Sequence, residues 1–169
     1  MKKIVIFLAI IIALLSINKH EMQIPKEAIR FRIIANSNTE EDQALKKHIV
    51  RNISKDLLLE SKNIGEARKY IVNNIPNFEE KVKETLKEEN KETEVSINYG
   101  QNYFPRKEEH GIVYEEGEYE SLVITLGEGK GDNFWCILFP PICMVDESNN
   151  VEYKSLIKEV LNRYKWHKI

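Results

Sequence analysis

Lys2 and Lys3 are followed by an unbroken apolar run from Ile4 to Leu15, and such a run leaves the globular fold and sets the compartment in which the rest must fold. It has the length of a secretory h-region (~7–15 residues), short of the ~17–25 residues of a comfortable bilayer span, and the lysines supply a positive n-region. Residues 1–17 therefore read as a signal peptide. No A-x-A pattern follows, because Leu14 and Leu15 succeed Ala13 and Leu14 stands two residues before Ser16. A retained signal anchor fits the same residues. In either case the remainder is expected to be exported, touching a membrane only through this segment.

Roughly 150 residues remain, the size of one domain with one core. Without Lys2 and Lys3 the chain has 23 basic against 27 acidic residues, a formal charge near -4. That balance argues against nucleic acid as a partner. Signs interleave from Glu79 to Glu94, as on a solvated helical face. The two cysteines, Cys136 and Cys143, are too few for a disulfide scaffold. Their C-x6-C spacing matches no zinc pattern, and His20, His48, His110 and His167 are scattered, so no metal or cofactor is expected.

Residues 18–28 are polar as far as Pro25 and read as a linker, leaving 29–169 as the domain. Ile29, Phe31 and Ile33 alternate with Arg30 and Arg32, which predicts a strand with one buried face, stopping at Asn36-Ser37-Asn38. Ser37 with Glu40, or Thr39 with Asp42, offers a capping box. Ala44, Leu45, Ile49, Ile53 and Leu57 then mark an amphipathic helix. A second helix is expected over 64–73 and, because Pro76 suits only a first turn, a third from there to about Glu89.

The second half turns to strands: 95–99 ended by Gly100, an irregular Tyr103 to Arg106, a short strand at 112–114, a stronger one at 119–126, and a break at 127–131. The apolar run from Phe134 to Phe139 predicts a central strand buried on both faces. Residues 154–164 have helical spacing. The fold class is α+β: a single domain with a mixed or antiparallel sheet packed by helices.

Two segments resemble the stage II sporulation protein R family. One is Ile29-Arg30-Phe31-Arg32-Ile33-Ile34-Ala35-Asn36-Ser37-Asn38 with Asp42-Gln43-Ala44-Leu45-Lys46; the other runs from Gly117-Glu118-Tyr119 through Gly127-Glu128-Gly129 and Trp135-Cys136 to Pro140-Pro141-Ile142-Cys143. Phe134 departs, standing where a second tryptophan is expected. The resemblance implies an exported signal made in the forespore. It would act in the space between the forespore and mother-cell membranes to activate a membrane-embedded aspartic peptidase that processes the sigma-E precursor. Such a protein is a ligand, not an enzyme, and needs no small-molecule substrate.

Candidate site residues follow from both readings. Gly127 to Gly131 lacks the spacing of a phosphate loop and reads as a turn, or as a loop presenting Glu128 and Lys130 to a partner. Cys136 and Cys143 are open to three readings: buried thiols, one local disulfide, or a hydrolase nucleophile with His110 and Asp132. Trp135, Phe139, Pro140 and Pro141 are either core and turn or a pre-ordered interface edge. Arg30 and Arg32 read as solvated or ion-paired surface, while the family resemblance makes them, with Asn36 and Ser37, a second interaction candidate. A passive envelope adaptor is the remaining alternative.

Overall fold

The computed structural model describes residues 22–54, 56–57, 61–109 and 112–141. The expected export segment, Cys143, His110 and the helix expected at 154–164 lie outside them. In chain order the elements are β1 Met22–Gln23, β2 Ile29–Ile34, α1 Glu40–Ser54, α2 Ile64–Glu88, β3 Val95–Phe104, β4 Lys107–Glu109, β5 Ile112–Tyr114, β6 Gly117–Leu126 and β7 Asn133–Phe139. The α+β expectation holds, and the sheet is mixed.

β2 lies inside a four-stranded sheet of order β3-β6-β2-β7, parallel to β6 and antiparallel to β7. Parallel neighbours need a long crossover, and both helices fall within the one between β2 and β6. They cover one face. Ile29, Phe31 and Ile33 point into that layer with Leu122, Ile124 and Leu138, meeting Ile49, Ile53, Ile71, Phe78 and Val82 from the helices.

α1 begins where the Thr39 hydroxyl accepts from the Asp42 N–H at 3.3 Å, and Glu40, Glu41 and Asp42 suit the positive end of the helix. The Asp42 carboxylate accepts from the Asn36 and Ser37 side chains. α2 begins at Asn63, whose side chain accepts from the Glu66 N–H at 3.0 Å, while Glu66 accepts from the Lys62 N–H. The two helices expected on either side of Pro76 are one. Pro76 is exposed, and the carbonyl that its missing N–H would have met belongs to Val72, also exposed, so the lost bond falls on the solvent side of the helix. The buried stripe Ala67, Ile71, Phe78, Val82 and Leu86 runs past it unbroken.

The second face of the sheet differs from expectation. A smaller sheet of order β1-β5-β4 accompanies a second cluster of Ile24, Ala28, Phe104, Tyr114, Tyr119, Trp135 and Ile137. Three corrections follow. β2 is buried on both faces rather than one; the expected linker already forms β1 and contributes Ile24 and Ala28 to the core. β3 continues through Gly100 to Phe104, because all ten residues pair with β6. β7 is buried on both faces as expected, yet it is the outermost strand of its sheet among the described residues.

A charged staple ties α2 to the sheet. Arg68 donates to both Glu120 carboxylate oxygens at 2.8 and 2.7 Å, and the Tyr99 hydroxyl donates to the same group at 2.5 Å. Hydrogen bonding from Arg68 holds the Glu120 carboxyl below its ordinary range against the opposing effect of burial. Burial, then the bond to Glu120, pushes the Tyr99 phenol up, so it stays a donor.

Two outcomes are expected. Pro76→Ala restores a backbone donor on an exposed helical face and should stabilise the domain by about 1–2 kcal/mol in chemical denaturation, the helix gain of ~3 kcal/mol being partly offset by a looser unfolded chain. Glu120, its folded pKa lowered, stabilises the fold above the unfolded carboxylate pKa, and this contribution is lost as pH falls through the lower folded value. Glu120→Gln should therefore lower Tm near pH 7 and converge with the parent in acid; a constant Tm gap down to about pH 2 would contradict the staple.

Candidate functional site

The end of β2 and the loop between β6 and β7 are knitted together. The Asn36 side chain accepts from the Glu128 N–H at 3.0 Å and donates to Asp42 at 2.9 Å; the Ser37 hydroxyl donates to the same Asp42 oxygen at 2.5 Å. Those bonds, Ser37 first, hold the Asp42 carboxyl below its ordinary range. Lys46 donates to the Asp132 carbonyl at 2.7 Å, and Asn38 accepts from the Asp132 N–H at 2.6 Å.

Every backbone N–H from Gly127 to Asp132 already has an acceptor within the fold. None is left to cradle an anion, so the turn reading of this loop holds. Gly127 has φ +55°, and a Cβ there would stand 2.3 Å from Asn36 Oδ1. Asn36 and Ser37 are thus consumed in an internal latch. Glu128 and Lys130 project into solvent, paired with each other at 2.8 Å.

Arg30 and Arg32 occupy the other setting. Sequence alternation places them toward solvent; the structure places them beneath the small sheet. Arg30 is 1% exposed. Its guanidinium carbon lies 3.3 Å from the centre of the Tyr119 ring, 5.3 Å from that of Phe104 and 5.7 Å from that of Tyr114. That of Arg32, half-buried, lies 4.7 Å from the centre of the Phe104 ring. Register explains the grouping: Arg30 stands opposite Ser121 and Ile137, and Arg32 opposite Val123 and Trp135.

All three guanidinium nitrogens of Arg30, Nε of Arg32 and Nε1 of Trp135 are buried with no hydrogen-bond partner among the described residues. Burial lowers the pKa of both arginines, and for Arg30 the Tyr119 and Tyr114 phenols partly oppose it. Glu120, the residue after Tyr119, is bonded to Arg68 and Tyr99, and Glu115 lies 3.8 Å from Arg106. A desolvated cation–π contact returns ~2 kcal/mol, while an uncompensated buried charge costs several. The fork geometry of the guanidinium matches a carboxylate. Every nitrogen left without a partner here is a donor, and the two guanidinium groups make the cluster cationic.

The aromatic side chains of the Trp135 to Pro141 segment pack inward, although β7 is the outermost strand of its sheet among the described residues. Trp135 packs against Phe104 and Tyr114 at ring distances of 5.1 and 5.6 Å, both edge-on. Phe139 faces the helices, Pro140 is buried and Pro141 half-buried. Of the two readings of this stretch, core and turn is the one that Trp135, Phe139 and Pro140 fit. Cys136 is buried and disulfide-bonded, so its sulfur is no thiolate nucleophile; Cys143 lies outside the described residues. The cage residues Phe104, Tyr114 and Tyr119 were missed from sequence, where their only signal is aromatic residues in short extended segments.

Residues 25–149 match the family model for Stage II sporulation protein R. The chain belongs to the stage II sporulation protein R family. It is 42% identical over 134 residues to Stage II sporulation protein R of Bacillus subtilis (strain 168), a match covering 78% of this chain and 60% of that protein. The chain thus spans about three fifths of the length of that curated relative. No solved structure matches. Family membership gives the chain a role in sporulation, and the matched span contains both the latch and the arginine cluster.

The arginine cluster makes a stability prediction of unusual sign. Arg30→Met keeps length and removes a buried charge, so it should be neutral or stabilising by about 1–3 kcal/mol in urea titrations. Destabilisation beyond ~2 kcal/mol would mean that Arg30 is satisfied within the free protein. Gly127→Ala, by contrast, should destabilise by about 1–3 kcal/mol, since it combines a positive φ with a clash against Asn36.

Proposed function

We propose that this chain is an exported signalling protein of endospore formation. In the space between the forespore and mother-cell membranes it would touch, and thereby activate, the membrane-embedded aspartic peptidase that processes the sigma-E precursor. The observation that carries the reading is a cluster of unpaired cationic donors in a member of a sporulation family: a group arrangement suited to receiving a partner rather than transforming a substrate. The charged n-region and apolar run from Ile4 to Leu15 support export. The disulfide at Cys136 counts against the cysteine-hydrolase alternative.

Activation by contact requires the peptidase's active state to bind this chain better than its inactive state does. Each tenfold gain in the active population takes ~1.4 kcal/mol of differential affinity. Holding two peptidase chains together is one route to that difference.

Co-expression with the peptidase and the sigma-E precursor in a non-sporulating bacterium tests the reading. Precursor cleavage should appear with the full chain and vanish when residues 2–17 are removed. Cleavage that proceeds without this chain, or with the unexported form, would overturn it.

A further inference from the structure

Five buried nitrogens on one sheet face lack acceptors, and all belong to Arg30, Arg32 or Trp135. We propose that these three residues form a binding site for a carboxylate side chain carried on a peptide segment with apolar flanks. The ligand's charge follows from the donors, since every orphaned group donates and two are permanently cationic. Its apolar flanks follow from the walls, because the buried rings of Phe104, Tyr119 and Trp135 enclose the cations, with Lys107 Nζ 5.3 Å from the centre of the Trp135 ring. A bidentate carboxylate fills a guanidinium fork and leaves the rest of its residue to pack on rings. Inorganic phosphate, larger and strongly hydrated, gains nothing from such walls.

Entry is from the Arg32 side. Arg32 is half-buried at the rim, whereas Arg30 is enclosed. The cover over Arg30 is weakly built: β1 has two residues, and β4 and β5 three each. These strands contribute far fewer ladder pairs than the four-stranded sheet, although Val113 and Tyr114 are buried in them. A carboxylate bound first by Arg32 and the Trp135 N–H can then reach Arg30 as the layer shifts. The site rests on the arginine geometry; assigning its ligand to the peptidase's extracytoplasmic face rests on the function proposed above.

Fluorescence of the full chain in detergent tests this, using Trp166→Phe so that Trp135 is the sole indole. The probes are acetyl-Phe-Glu-Phe-amide and acetyl-Phe-Gln-Phe-amide, with acetate and inorganic phosphate alone as further arms. The Glu peptide should change Trp135 emission saturably and bind at least tenfold tighter than the Gln peptide. Arg32→Gln should abolish that preference, and Arg32→Lys should restore part of it. Equal binding of the two peptides by the parent, or no response to either, overturns the site without recourse to any arginine variant. Acetate or phosphate binding as tightly as the Glu peptide overturns the peptide assignment. Glu-peptide binding by a chain that fails to activate the peptidase supports this site and retires the functional reading. Full activation by an Arg32→Gln chain that no longer binds the peptide removes the peptidase's carboxylate as its ligand and leaves the functional reading standing.

Discussion

Strand β2 carries two cations into the interior of a small domain, and both layers around the sheet are arranged about that fact. Its other side chains, Ile29, Phe31 and Ile33, join a helical layer that buries apolar surface in the ordinary way. The arginine side cannot do the same. Both guanidinium carbons flank the Phe104 ring, at 5.3 and 4.7 Å from its centre, which puts them at most ~10 Å apart and their repulsion at ~1.7 kcal/mol or more at an effective dielectric of ~20. What covers them is therefore aromatic, offering ring faces to the guanidinium planes of weakly hydrated side chains.

The latch at the end of β2 serves this arrangement. Asn36 ties β2 to the turn after β6, Asn38 and Lys46 tie the start of α1 to the start of β7, and the register of β6, β2 and β7 is thereby held. A one-residue slip would exchange the faces of β2 and drive both arginines into the helical core. Polar residues that read as an interaction surface in sequence thus act as the clamp that keeps the cations under the aromatic layer. The glycines of the turn are needed for the same clamp, since the chain at Gly127 and Gly131 runs too close to Asn36 and Ser37 for any side chain.

The strand β2, the first helix, the turn at Gly127 to Gly131 and the α+β class were legible because periodicity and turn chemistry are local. The setting of Arg30 was not. Alternation tells which residues share a face, but whether a second layer covers that face depends on β1, β4 and β5, segments of two or three residues in which no period can be read. Pro76 misled for a related reason: the rule against internal proline weighs one lost hydrogen bond, and the continuous apolar stripe on the opposite side of α2 outweighs it. Phe139 and Pro140 are aromatic and rigid as an interface would want, yet the same qualities suit the core in which they lie.

A hydrophobic residue in place of Arg30 would fold at least as well, so the charge contributes nothing to the free domain that packing could not supply. If the proposed carboxylate binds there, the desolvation already spent in folding need not be spent again on binding. On that proposal the free protein would be preorganised for its ligand. Relief of the burial cost on binding would be free energy available to favour one state of the partner over another, and a few kcal/mol suffices to change an equilibrium a hundredfold. Placing the cost in a face beneath a small three-stranded layer, and not in the helical core, lets it be relieved without disturbing the sheet that holds the arginines in register.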